Sequence, residues 1–157
     1  MGYALNKAFP STVKVDGGSG YRATANSGTG AEVTGPTIDR MPAGSSEGYD
    51  SAIIVHAGTA TLDGDETLSI RTRIQESHND SDWDAEEEIE AATVVLTAPS
   101  GGSYTDEPWD RKITLQLAGR KRYVRLLATP IGSRAGTDAM EGGFVAILGG
   151  AHELPVT

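Results

Sequence analysis

The sequence predicts an all-β protein: an antiparallel β-sandwich, jelly-roll-like, with an extended N-terminal arm. Three observations predict it. From Tyr49 onward, short apolar or strictly alternating runs follow one another. Gly, Pro and Asp stand between them at turn positions. A 3.6-residue apolar period is almost absent.

The first 48 residues stand apart from the remainder. "VDGGSGYRATANSGTGAEVTGPTIDRMPAGSSEG" is rich in Gly, Ser and Thr and poor in large apolar side chains, so it buries little by itself. It reads as an arm, residues 1 to 48, preceding a sandwich domain, residues 49 to 157. Within the arm, "TVKV" at 12 to 15 and "YRAT" at 21 to 24 alternate well enough to be edge strands that pair with something else.

In the domain, "SAIIVHAG" (51 to 58) is a buried strand. "ETLSIRTRIQES" (66 to 77) places Leu68, Ile70, Thr72 and Ile74 on one face and Ser69, Arg71, Arg73 and Gln75 on the other. The intervening "LDGDE" reads as a hairpin turn in which Asp63-Gly64 supplies a positive φ. "AATVVLTA" (91 to 98) is a third run, ended by Pro99-Ser100-Gly101-Gly102. "RKITLQLAG" (111 to 119) buries Ile113, Leu115 and Leu117 and exposes Lys112, Thr114 and Gln116. "RYVRLLAT" (122 to 129) follows after Gly119-Arg120-Lys121 as a second hairpin, and "GFVAILGG" (143 to 150) is the last strand. The one helix candidate, "SDWDAEEEIEAAT" (81 to 93), has a capping Ser81 or Asp82 and an acid-loaded start, which predicts a turn or two at most.

With 157 residues the chain is long enough for one domain with a real core, although 38% of it is hydrophobic and 20 residues are glycine. Its 22 acids against 13 bases give a net charge of −9, which argues against nucleic acid as a partner and for cationic ones. No cysteine is present, so neither disulfides nor thiolate metal sites hold it. The start "MGYALNKAFPSTVKV" lacks a signal-peptide apolar stretch, and no run approaches the roughly 20 apolar residues of a membrane span. A soluble protein without Sec-type export and without a membrane partner is expected.

Motifs that carry chemistry are few. Residues 76 to 90 hold Glu76, Asp80, Asp82, Asp84, Glu86, Glu87, Glu88 and Glu90, eight of the 22 acids. "DSDWD" has the carboxylate spacing that begins a calcium loop but not the glycine or closing Glu of one, and "DGDE" at 63 to 66 is similarly incomplete. A solvated acidic lobe is the simpler reading. His56, His78 and His152 match no zinc spacing, and His56 inside a strand reads as a packed core residue. No nucleophile elbow, P-loop or dinucleotide fingerprint is present, so no catalytic, cofactor-binding or metal residues are assigned and a non-enzymatic protein is expected. Trp83 and Trp109 lie in the polar stretches "SDWDA" and "DEPWDR", where an aromatic stacks on a sugar, anchors an interface or folds back over a sheet edge.

The segment "GRKRYVRLLATP" (119 to 130) puts four cations and a tyrosine before an apolar run. Lys121 and Arg122 flank a turn, Arg125 lies within the strand, and the lobe at 76 to 90 supplies opposite charge. Internal or intersubunit pairing therefore explains the cluster more simply than phosphate reading does.

The order "YDSAIIVHAGTATLDGDETLSIRTRIQES", then "DW" with acids, then "LAGRKRYVRLLATP", then "GFVAILGGAHELPV" resembles small β-sandwich proteins encoded among the head genes of tailed phages. The resemblance covers residues 49 to 156. It implies a capsid decoration, or cement, protein of the virion: a structural protein that binds the major capsid protein on the outer surface of the head, often as a trimer, after assembly in the host cytoplasm. It implies no cofactor. Lys121, Arg122, Tyr123 and Arg125 match the basic-aromatic segment and, with Trp83 and Trp109, form the candidate interface. The alternative is a carbohydrate-binding β-sandwich module on a virion or cell surface that uses Trp83 or Trp109.

Overall fold

The computed structural model describes residues 14–17, 21–24, 28–41, 48–133 and 139–149, with side chains described from residue 30 onward. Among the described residues ten strands make up the regular structure: β1 (Lys14–Gly17), β2 (Tyr21–Thr24), β3 (Gly28–Thr29), β4 (Val33–Asp39), β5 (Ser51–Leu62), β6 (Thr67–Ser77), β7 (Glu87–Thr97), β8 (Tyr104–Gln116), β9 (Tyr123–Gly132) and β10 (Ala139–Gly149). They form two antiparallel sheets. In the first, β1 and β2 both pair with β10, followed by β5 and β8. In the second, β3 and β4 both pair with β9, followed by β6 and β7.

Counting β1 with β2, and β3 with β4, as single interrupted strands gives two four-stranded layers. Every connection then crosses between layers except β6 to β7, which is the strand order of a jelly roll. The all-β sandwich expected from the alternating runs is therefore observed. The buried positions of β6 include Leu68, Ile70, Thr72 and Ile74, and those of β8 include Ile113 and Leu115, as their period of two predicts.

The two expected hairpins are instead corners. β5 and β8 lie in one sheet, and their successors β6 and β9 lie in the other. Two adjacent strands with apolar faces satisfy the same alternation by lateral pairing or by stacking face to face across a core. At the β5–β6 corner the left-handed residue is Asp65, with φ of 64°, rather than Gly64. Gly64 is needed for space: a Cβ there would lie 2.6 Å from the Gly102 carbonyl oxygen. At the β8–β9 corner Gly119 does take the positive φ, 79°, and the Arg120 N–H closes on the Leu117 carbonyl at 3.0 Å.

The described segments of the N-terminal stretch, β1 to β4, are laid onto strands of their own sandwich. β2 coincides with "YRAT" and pairs with β10, while β1 overlaps "TVKV" and pairs with the far end of the same strand. β4, which no sequence pattern announced, pairs with β9 and buries Ile38 to 1% exposure. Residues 1–13 and the C-terminal His152 lie outside the described residues. The break between β3 and β4 falls at Pro130 of β9, where the Gly30 N–H donates to the Pro130 carbonyl at 2.8 Å. Proline offers no ladder N–H in return, so continuous pairing stops there.

The helical turn expected within residues 81–93 is absent. Trp83 instead bridges back to Ser77, and β7 begins at Glu87, paired along β6 through three register shifts. The run has too few apolar positions for a helix face, whereas β6 offers an open edge.

The interior is filled from both layers: Ile54, Met140 and Leu148 from the first sheet, Ile70, Ile74 and Val124 from the second, each at most 1% exposed. Burying each contributes about 1.5–3 kcal/mol. His56 is part of this core, stacked on Phe144 (4.1 Å between centroids, 14° between planes) and edge-on to Trp109 (4.8 Å, 87°).

Candidate functional site: a charged end of the sandwich

Three connections meet at one end of the sandwich: the segment after β4, the β6–β7 loop and the β8–β9 corner. Backbone bonds tie them together. The Arg40 N–H donates to the Arg122 carbonyl at 3.0 Å, and the Leu117 N–H to the Asp50 carbonyl at 2.7 Å. The Asp84 N–H closes the β6–β7 loop onto the Glu76 carbonyl at 2.9 Å. Inside that loop the Asn79 side-chain oxygen accepts from the N–H groups of Ser81 and Asp82, and Asp80 adopts a positive φ of 61°. Asn and Asp suit such a loop because their short polar side chains satisfy local backbone donors and tolerate left-handed geometry.

The basic segment finds its counter-charges here. The Glu76 carboxylate takes the Arg120 guanidinium on one oxygen and the Lys121 N–H, at 2.8 Å, on the other. Arg120 also pairs with Glu87 at 2.9 Å, and the Lys121 ammonium reaches Asp84 at 2.7 Å. The hydrogen bond between Arg120 and Glu87 raises the arginine pKa above its ordinary value and lowers that of the glutamate. Arg122 forms a two-pronged contact with Asp39, at 3.0 and 2.9 Å, that raises its pKa. Its guanidinium also lies 4.9 Å from the Tyr123 ring centroid.

Of the internal and intersubunit pairings that the sequence leaves open, the internal one is present, and it joins "GRKRY" to the acidic lobe. These contacts consume much of the cluster's charge. Arg122 remains 47% exposed, and Asp84 and Glu87 keep acid at the surface of the same end at 49% and 58% exposure. Charged rims of mixed sign set register and encounter rate in protein interfaces more than they set affinity.

The two tryptophans part company. Trp83 lies at this end, half-buried, with the Arg125 guanidinium over its ring at 4.0 Å. Arg125 is held there by two bonds to the Gln75 side-chain oxygen, at 3.0 and 2.8 Å. Trp109 is not a surface residue. It sits on the inward face of β8 at 4% exposure, so its placement among the interface candidates is corrected. Its polar neighbours Asp106, Asp110 and Lys112 made the stretch look like a loop, whereas they are the outward half of a strand.

At the opposite end Asp63 and Asp65 line a polar recess with Gly101, Gly102 and Ser103. Glu66 of the "DGDE" stretch turns inward to 4% exposure and accepts the Asp63 N–H at 3.1 Å. One residue escaped sequence reading altogether. Arg111 occupies an inward position of β8 at 8% exposure, donates to the Ile70 carbonyl of the other sheet at 2.9 Å and pairs with Glu90 of β7. An arginine at an inward position of an alternating strand was the available signal.

No protein-family model matches the chain, and no curated protein matches it. Among solved structures it is similar to the VP2 subviral particle of infectious bursal disease virus, with a TM-score of 0.47 and 11% identity over 91% of this chain and 34% of that one. It is also similar to the T13 viral particle of the same virus (0.46, 11%, 87% and 31%) and to the virus of the Gx strain (0.44, 13%, 87% and 32%). The chain spans about a third of the length of the structures it matches.

Proposed function

We propose that this chain is a non-enzymatic structural protein of the virion that decorates the outer surface of a tailed-phage head and binds the major capsid protein. The observation that carries the reading is the position of the resemblance-bearing segment. "GRKRYVR" forms the β8–β9 corner and is ion-paired to the acidic loop beside it, so it builds a stiff end with a mixed-charge rim. A decoration protein needs a rigid body with a defined contact rim, and weak contacts suffice when a lattice repeats them. The jelly-roll strand order supports the reading by analogy alone, since one fold hosts many functions.

Co-sedimentation with expanded empty heads tests it. The protein is expected to pellet with the heads and saturate, and Arg122→Glu with Lys121→Glu is expected to weaken binding while the far-ultraviolet circular dichroism stays β-type. Protein that remains in the supernatant at every concentration overturns the reading. The carbohydrate-binding alternative gains no support from Trp109, which is buried, and Trp83 has one ring face covered by Arg125.

A further inference from the structure

The two outer faces of the sandwich differ. On the second sheet β6 turns Ser69, Arg71, Arg73 and Gln75 outward, and Arg73 is paired there with Glu32 and Glu86. On the first sheet the middle stretch of the two central strands is apolar on both sides. β5 buries Ala52 and Ile54 inward yet turns Ile53 and Val55 outward, and β10 buries Phe144, Ala146 and Leu148 yet turns Val145 and Ile147 outward. The register sets Ile53 beside Ile147 and Val55 beside Val145, so four β-branched side chains form one block, with Val145 40% exposed. Strands that are apolar on both sides belong to sheets covered on both sides.

We infer that this face is the contact between two copies of the chain, which stack their first sheets about a two-fold axis. Three features select a second copy. The first is register. An axis lying in the interface, perpendicular to the strands and between the Val55/Val145 and Ile53/Ile147 rows, sets each Val145 against Ile147 of the second copy and each Val55 against Ile53. The same axis sets Gly143 against Gly149 and, along β8, Lys112 against Thr114 and Asp110 against Gln116, so no like charges meet at these positions. The second is charge distribution. The acidic stretch at 76–90 belongs to the loop and edge strand of the other sheet, so face-to-face copies keep those acids apart. The third is area. Four strands over nine residues span about 19 Å by 30 Å, on the order of 600 Å². That is near the ~800 Å² each partner contributes to a stable interface.

This contact is independent of the capsid reading, and it gives even-numbered assemblies rather than the trimer that the resemblance implies. Size-exclusion chromatography with light scattering over a dilution series tests it. The expected mass is twice the 16.4 kDa of one chain. Val145→Glu and Ile147→Lys are each expected to weaken the dimer at least about tenfold. The double variant V145E/I147K is expected to restore it, because each glutamate then faces a lysine of the second copy. A wild-type chain that stays at the mass of one copy, or of three, overturns the inference even if a variant fails to fold. So does a dimer that both single variants leave intact, or one that the folded double variant fails to recover.

Discussion

Arg111 of β8 crosses the interior and donates a hydrogen bond to the carbonyl oxygen of Ile70, in the opposite sheet, at 2.9 Å. The contact falls where the β6–β7 register shifts between Ile70 and Thr72, and the same guanidinium pairs with Glu90 on the far side of that irregularity. One side chain therefore ties β8, β6 and β7 together at the edge of the sandwich, where no strand among the described residues continues the layers.

Arg111→Ala removes both partners and leaves a gap between the sheets. Urea denaturation is expected to register a loss of about 2–4 kcal/mol. Arg111→Met, which keeps the apolar stem, is expected to recover at least half of that loss. Equal losses in the two variants would mean that the charge, not the packing, holds this edge.

His56 is expected to make the fold acid-sensitive. Burial, with the nearby Arg111 charge adding to it, pushes its pKa down from 6.5 to about 4. Between those values the unfolded chain binds a proton that the folded chain does not, so the contribution is complete above pH 6.5 and is lost as pH falls toward 4. The size is on the order of 3 kcal/mol. His56→Leu is expected to flatten stability across this window; an unchanged slope would place the acid sensitivity elsewhere.

Glu76 is expected to matter far more than Asp39, although both hold arginines of the same segment. Glu76 caps the β8–β9 corner by accepting from the Arg120 guanidinium and the Lys121 N–H, and its side chain is 19% exposed. Glu76→Ala is expected to cost about 1–3 kcal/mol by urea denaturation. Asp39→Ala, which breaks the solvent-exposed pair with Arg122, is expected to cost less than about 1 kcal/mol. The reverse ranking would contradict the corner's role.

Gly58 of β5 faces Gly142 of β10, and a Cβ at Gly58 would lie 1.8 Å from the Glu141 carbonyl oxygen. Gly58→Ala must push the two central strands apart. A loss of more than about 3 kcal/mol, or failure to fold, is expected in thermal unfolding. A mild effect would show that the β5–β10 approach relaxes.

Much of the architecture is legible in the sequence because period-two alternation reports which side chains face inward, as in Leu68 to Ile74 and Ile113 to Leu117. Alternation does not report which strand lies alongside, so the β5–β6 and β8–β9 connections read as hairpins when they are corners. β4 was hidden because its burial comes from β9 and not from its own composition: Val33 to Asp39 contains a single fully buried side chain, Ile38. Trp109 and Arg111 were misread or missed because the outward residues of β8 carry the local polarity. That Arg120 and Lys121 need acidic partners was legible from charge balance alone, whereas charge balance does not report that the partners belong to the same chain.

The most direct test of the capsid reading is a cryo-electron microscopy reconstruction of expanded heads with and without the protein. Sandwich-shaped density at repeating positions on the outer surface of the shell, present in the decorated sample alone and with the β8–β9 end in contact with the capsid, is the predicted result. Identical shells in the two samples, or added density confined to the interior, would contradict it.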